Sequence, residues 1–167
     1  SCFRTKNVCV FSGSSHTRSV DISSSSSPII KSFTATDFPN TANSVKVIED
    51  RDSFLAGYTP QAGVIRWDLG DNTKYVKWVP SKTYGSTSKC DIIELIDESP
   101  IALILFDTDM HILDFSTMTS SIMFGIHSLD PVGIAVLNHD LSLGHVVIGN
   151  QQKIELHEVK SSDRKKL

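Results

Sequence analysis

The sequence predicts an all-β fold, and three observations lead there. Apolar stretches of about four to six residues, rich in Val and Ile, recur between polar turns along the 167 residues. β-Branched side chains of this kind fit a pleated surface. No window of twelve or more residues carries a clean apolar stripe at i, i+3, i+4 and i+7, the mark of an amphipathic helix. An acidic residue closes a strand–turn–strand unit at Asp21, Asp68, Asp114 and Glu158, with separations of 47, 46 and 44 residues.

The elements follow from these patterns in chain order. Residues 8–13, centred on Val8, Val10 and Phe11, precede a polar turn and a second stretch at 19–22. Serines 23–27 then form a linker, because their hydroxyls compete for nearby backbone groups, and residues 28–33 resume the apolar pattern. Residues 34–43 hold Asp37, Pro39 and Asn40 and read as a connection. A fuller unit follows at 45–50, 54–58, 64–69 and 75–79, and its equivalent at 93–98, 101–106, 112–115 and 120–126. The best helical candidate, 120–129, is short and interrupted by Gly125. Residues 80–89 connect these two units, and stretches at 134–139, 146–150 and 154–159 make the last, shorter one. Each complete unit therefore holds four strands, the content of one propeller blade.

Trp67-Asp68-Leu69 closes the clearest copy, and weaker letters stand in the others: Val20-Asp21, Leu113-Asp114 and His157-Glu158. With this pairing and spacing the chain resembles the WD-repeat β-propeller family, whose repeats run at about 40–45 residues. The resemblance implies about three and a half four-stranded blades: 1–36 in part, 41–80, 89–128, and 131–160 in part, followed by a polar tail at 161–167. It implies that the chain opens on the second strand of a blade and is the C-terminal part of an incomplete ring. Upstream sequence or another chain would supply the missing blades. Arg66 departs from the pattern, since the matching positions hold Ile112 and Leu156. An arginine at an apolar position needs a partner or an exposed edge.

Composition narrows the function classes. Sixteen basic residues against nineteen acidic ones give a formal charge of -3, which argues against direct binding of nucleic acid or an anionic membrane. No apolar run approaches the roughly 20 residues that span a bilayer, and the opening lacks the basic-then-apolar pattern of a secretion signal. Cys2, Cys9 and Cys90 are odd in number and lack zinc-ligand spacing. Reduced thiols in a cytoplasmic or nuclear protein are the expectation.

The family resemblance implies a non-catalytic scaffold that docks protein partners as part of a multiprotein assembly. Its partner face would present Tyr58, Gln61, Asp107, Asp109, Gln151 and Gln152, with Trp78 and Tyr84 nearby. Asp21, Trp67, Asp68, Leu69, Asp114 and Glu158 would define the repeat. No cofactor or metal is expected, because the six histidines form no His-x-His or His-x-x-x-His pair. The alternative is an enzyme. Asp107-Thr108-Asp109 after an apolar strand looks like the motif of haloacid-dehalogenase-like phosphatases, although His111 stands where Thr or Val belongs. That resemblance implies Asp107 as nucleophile and Asp109 as general acid–base beside Mg²⁺.

Overall fold

A computed structural model describes residues 1–13, 16–24, 27–35, 41–59, 63–85, 90–95, 100–106, 109–125, 133–139, 143–149 and 154–160. Among the described residues, fourteen strands and a single 3-10 turn make up the regular structure, so the all-β expectation holds there. The strands form four sheets. β1 (Val8–Ser12), β2 (Thr17–Asp21) and β3 (Ile29–Phe33) make the first. β4 (Ser44–Ile48), β5 (Ser53–Gly57), β6 (Val64–Asp68) and β7 (Tyr75–Trp78) make the second. β8 (Cys90–Leu95), β9 (Ile101–Phe106), β10 (Asp109–Asp114) and β11 (Thr119–Gly125) make the third. β12 (Gly133–His139), β13 (Leu143–Gly149) and β14 (Ile154–Lys160) make the last. Each strand bonds to its sequence neighbour, the simplest way to satisfy backbone groups over short loops. No closed sheet is found among the described residues.

The chain divides into two compact units, Ser1–Ile92 and Ile93–Leu167. In the first unit, Phe33 of β3 ties the first sheet to the second. Its ring stands edge-on to Phe54 at 4.8 Å and to Trp67 at 5.6 Å. Polar contacts fix the same junction: Lys31 Nζ donates to the carbonyls of Leu69 and Gly70, and Asn72 Nδ2 donates to that of Ser32. Phe3, Val10, Ala56, Tyr58 and Ile65 complete this core.

Two expectations are corrected here. Ser1 exchanges backbone bonds with Val10, and the Phe3 N–H donates to the Val8 carbonyl, so these residues lie along the free edge of β1. This places Cys2 opposite Cys9 with 3.9 Å between Cα atoms, and the two form a disulfide. Residue spacing alone did not reveal that the segment doubles back, and the reduced-thiol expectation holds only for buried Cys90. Finally, the strand expected over 45–50 ends at Ile48. Glu49–Arg51 turn in 3-10 form and Asp52 adopts the left-handed region at φ 47. Glu49 accepts from the Arg4 N–H and the Thr5 hydroxyl, and Lys6 pairs with Asp52.

Two glycines are required by their surroundings. A Cβ on Gly57 would lie 2.8 Å from the Cys90 carbonyl oxygen and 2.9 Å from its Sγ. Gly63 has φ +72, and a Cβ there would fall 2.0 Å from the Trp78 carbonyl oxygen. Only glycine tolerates both constraints at such positions.

In the second unit, β9 is buried along its whole length and β10 in all but its last residue. Burial of both faces explains the continuous apolar run of β9, which lacks the polar alternation of a half-exposed strand; β10 is buried although it carries Asp109 and His111. β11 carries an irregular register against Met110 and His111, a bulge that adds one residue to that strand. The residues weighed as a helix thus lie in β11 up to Gly125.

Candidate functional site

The repeat acids have a shared local geometry. Asp21, Asp68 and Asp114 are the last residues of β2, β6 and β10. Each turns its Oδ1 back onto the backbone N–H two residues on: Ser23 at 2.8 Å, Gly70 at 2.8 Å and Ser116 at 2.7 Å. This is an Asx turn, in which the carboxylate does the work of a backbone carbonyl and starts the reversal into the next strand. The Ser23 hydroxyl and N–H both donate to Asp21 and hold its carboxyl below the usual range. Asp71 repeats the device one turn later. The Thr73 hydroxyl and N–H, then Lys74, lower its pKa from 3.8 to about 2. Glu158 differs, because it lies inside β14, opposite His145, and the strand continues to Lys160.

Of the face expected to receive partners, the four described residues are buried. Tyr58 is 1% exposed; its hydroxyl accepts from Trp67 Nε1 at 3.3 Å, and its carbonyl accepts from Asn43 Nδ2 at 3.1 Å. Burial pushes its phenol pKa up, against hydrogen bonds with Thr17 and Trp67 that pull it down. Trp78 and Tyr84 are each 9% exposed and Asp109 is 6% exposed. A residue so covered cannot meet a partner in this conformation, because its surface is already packed or bonded. The loop-tip reading missed this because Tyr58 directly follows β5, where its ring turns into the core. Gln61, Asp107, Gln151 and Gln152 lie outside the described residues. Trp67 is fully buried, and Leu69 packs at the margin of the same core while donating its N–H to Asp52.

Asp109 pairs with Phe106 across the β9–β10 hairpin, with Asp107 and Thr108 between them. His111 is buried, and the Phe106 ring stands edge-on to it at 5.5 Å. Among the described residues no group of three or more His, Cys, Asp or Glu is placed to hold a metal ion.

Two surface features fall outside the expected face. Apolar side chains are exposed along the edge strands β3 and β7: Ile29, Ile30, Tyr75 and Val76, with Ile22 and Val79 just beyond. A cleft of ≈ 660 Å³ opens at the end of the second sheet, lined in part by Arg51, Ser53, Arg66, Asp68 and Lys74. The sequence signal for it was Arg66, which stands where two of the other copies hold Ile112 and Leu156.

No helix of the described residues is long and apolar enough to cross a membrane. No protein-family model matches the chain, and no curated protein matches it. Among solved structures, the chain is similar to one chain of a complex in which S. cerevisiae Dbp5 is bound to Nup159, Gle1, IP6 and ADP, with Dbp5 and Gle1 each carrying a substitution. The TM-score is 0.48 at 14% identity, covering 96% of this chain and 44% of that one, so this chain spans less than half of the neighbour's length.

Proposed function

We propose that the chain forms part of a β-propeller of the WD-repeat type and serves as a non-catalytic protein-interaction scaffold in a larger assembly. The observation that carries this reading is the recurrence of one antiparallel meander in four successive sheets, with the same aspartate turn at the same point in three of them. Such repetition builds a rigid frame whose turns and edges are presented at regular intervals. The exposed apolar side chains of β3 and β7 support protein contact, because edge strands offer unpaired backbone groups beside them.

Crosslinking of the tagged chain in its native cell tests the reading. The expected result is a recurrent protein partner whose crosslinks fall beside β3 and β7. Charged substitutions at Ile30 and Val76 should abolish its recovery without altering the thermal melt. Recovery of the chain alone, without a stoichiometric protein partner, counts against the scaffold. The phosphatase alternative is opposed by the antiparallel pairing of β9 with β10 and by the burial of Asp109. A Mg²⁺-dependent phosphate-ester assay should give no turnover that Asp107→Asn removes; turnover lost in that variant would favour the enzyme.

A further inference from the structure

We infer that the cleft at the end of the second sheet is an anion site that takes a phosphate monoester. The strand pleat assembles it. Residues paired across an antiparallel ladder share a face. Ser53 pairs with Asp68, and the Asp68 N–H donates to the Lys74 carbonyl at 3.1 Å, so Ser53, Asp68 and Lys74 form one row. Leu55, Arg66 and Val76 form the next row on the same side. Trp67 and Tyr75 alternate with these rows, with their rings 4.8 Å apart, and also line the cleft. Arg51 enters from the 3-10 turn that leads into β5. Three cations, Arg51, Arg66 and Lys74, therefore converge on one cleft with a single carboxylate, Asp68, in its lining.

That carboxylate is engaged elsewhere. Its Oδ1 accepts from the N–H groups of Gly70 at 2.8 Å and Asp71 at 3.1 Å. Arg51 and Arg66 have contacts of their own, and acids outside the lining compete at the rim: Asp71 lies 3.2 Å from Lys74, and Asp50 lies 3.8 Å from the Arg51 Nε. Both pairs are exposed, and exposed pairs of this kind are weak. A dianion reaching two guanidinium groups and an ammonium gains charge-assisted bonds that such pairs do not match.

The floor of the cleft supplies an independent pointer. Ser53 is 6% exposed, and its hydroxyl has no hydrogen-bond partner among the described residues. A buried hydroxyl left unbonded is costly. Ser53 lines the cleft, where a small shift of its side chain would let a ligand oxygen accept from it. A tetrahedral phosphate ester, with several acceptor oxygens and about two negative charges, suits this mixture of donors better than a planar carboxylate. The cleft volume lies in the range of pockets that hold small ligands, about 300–1,000 Å³. The site stands independently of the scaffold reading.

Heteronuclear NMR on the isotope-labelled full chain tests the inference, with O-phosphoserine, inorganic phosphate and L-serine as probes. Saturable shifts are expected at the amides of Ser53, Arg66 and residues 73–76 with O-phosphoserine, and none with L-serine. Tighter binding of O-phosphoserine than of inorganic phosphate identifies a phosphorylated side chain as the source. Equal binding identifies the free ion or a small ester. Arg66→Gln should weaken binding by about tenfold or more, the usual loss for a hydrogen bond to a charged group. Lys74→Gln, on an exposed side chain, should weaken it several-fold and serves if the Arg66 variant does not fold. The absence of any saturable shift at millimolar phosphate overturns the site. So does unchanged affinity in both variants, as judged on samples with the wild-type melt.

Discussion

The hairpins β5–β6 and β9–β10 are built on one plan and end in different surfaces. Ser53 faces Asp68 in the first, and Ile101 faces Asp114 in the second. One step in, Phe54 faces Trp67 and Ala102 faces Leu113, and all four are fully buried. At the next step Leu55 faces Arg66, and Leu103 faces Ile112. The two copies part at this third pair and at the first. Ile101, Leu103 and Ile112 make an apolar face that is buried throughout, whereas Ser53 and Arg66 leave a polar one that lines a cleft. The aspartate sets the reversal of the chain, and two residues on one face decide whether that face is core or site.

The largest expected effect separates the two buried positions. Trp67→Ala removes contacts with Phe33 and Tyr75 and a donor to the Tyr58 hydroxyl. It should cost about 3–5 kcal/mol in urea denaturation, the usual range for a truncated core aromatic. Leu113→Ala should cost about 2–4 kcal/mol, having no polar contact to lose. Equal losses at the two sites would break the view that Trp67 has a special part in joining two sheets.

A smaller effect tests the shared turn. Asp68→Ala and Asp114→Ala each delete exposed hydrogen bonds to turn N–H groups. About 1 kcal/mol is expected for each, since a single bond contributes about 0.5–1.5 kcal/mol and exposed ones sit low in that range. Matched losses sharpen the comparison, and a loss confined to one copy would mean that the common geometry is not a common source of stability.

The smallest effect is on acid stability. The carboxyl of Asp71 titrates near 2 in the folded chain against 3.8 normally. A lowered folded pKa means stability present above the unfolded value and lost as pH falls through the folded one. The contribution of Asp71 is thus complete above about pH 4 and disappears toward about pH 2. Asp21 is shifted in the same direction. Carbon-detected NMR of the side-chain carboxyls should place the Asp71 midpoint near 2, and Asp71→Asn should flatten the acid limb. An ordinary midpoint for Asp71 would remove the Thr73 bonds as its cause.

The strand runs were legible because Val- and Ile-rich stretches carry their pairing tendency locally, and β5, β6 and β9 fall where the pattern places them. The acids that close the units were legible by their spacing, but their Asx turns were not read from it, although such a turn needs only a carboxylate and the next two residues. The partner face was not legible. Tyr58 and Tyr84 resemble loop-tip aromatics in sequence, and whether such a ring points to water or to the core depends on distant chain. The Cys2–Cys9 bond was hidden likewise, since seven residues of separation permit a hairpin without requiring one.

What the sequence determined by itself is therefore the all-β class, the strand-by-strand rhythm and the recurrence of an acid at Asp21, Asp68 and Asp114. The first two depend on groups a few residues apart, whose preferences survive in any context. Only the tertiary structure decided that Phe33 reaches Trp67, that Cys90 demands a glycine at position 57, and that Arg51, Arg66 and Lys74 share one cleft. Those outcomes depend on strand register and on which faces meet, and a one-residue slip in register sends each side chain of a strand to the other face.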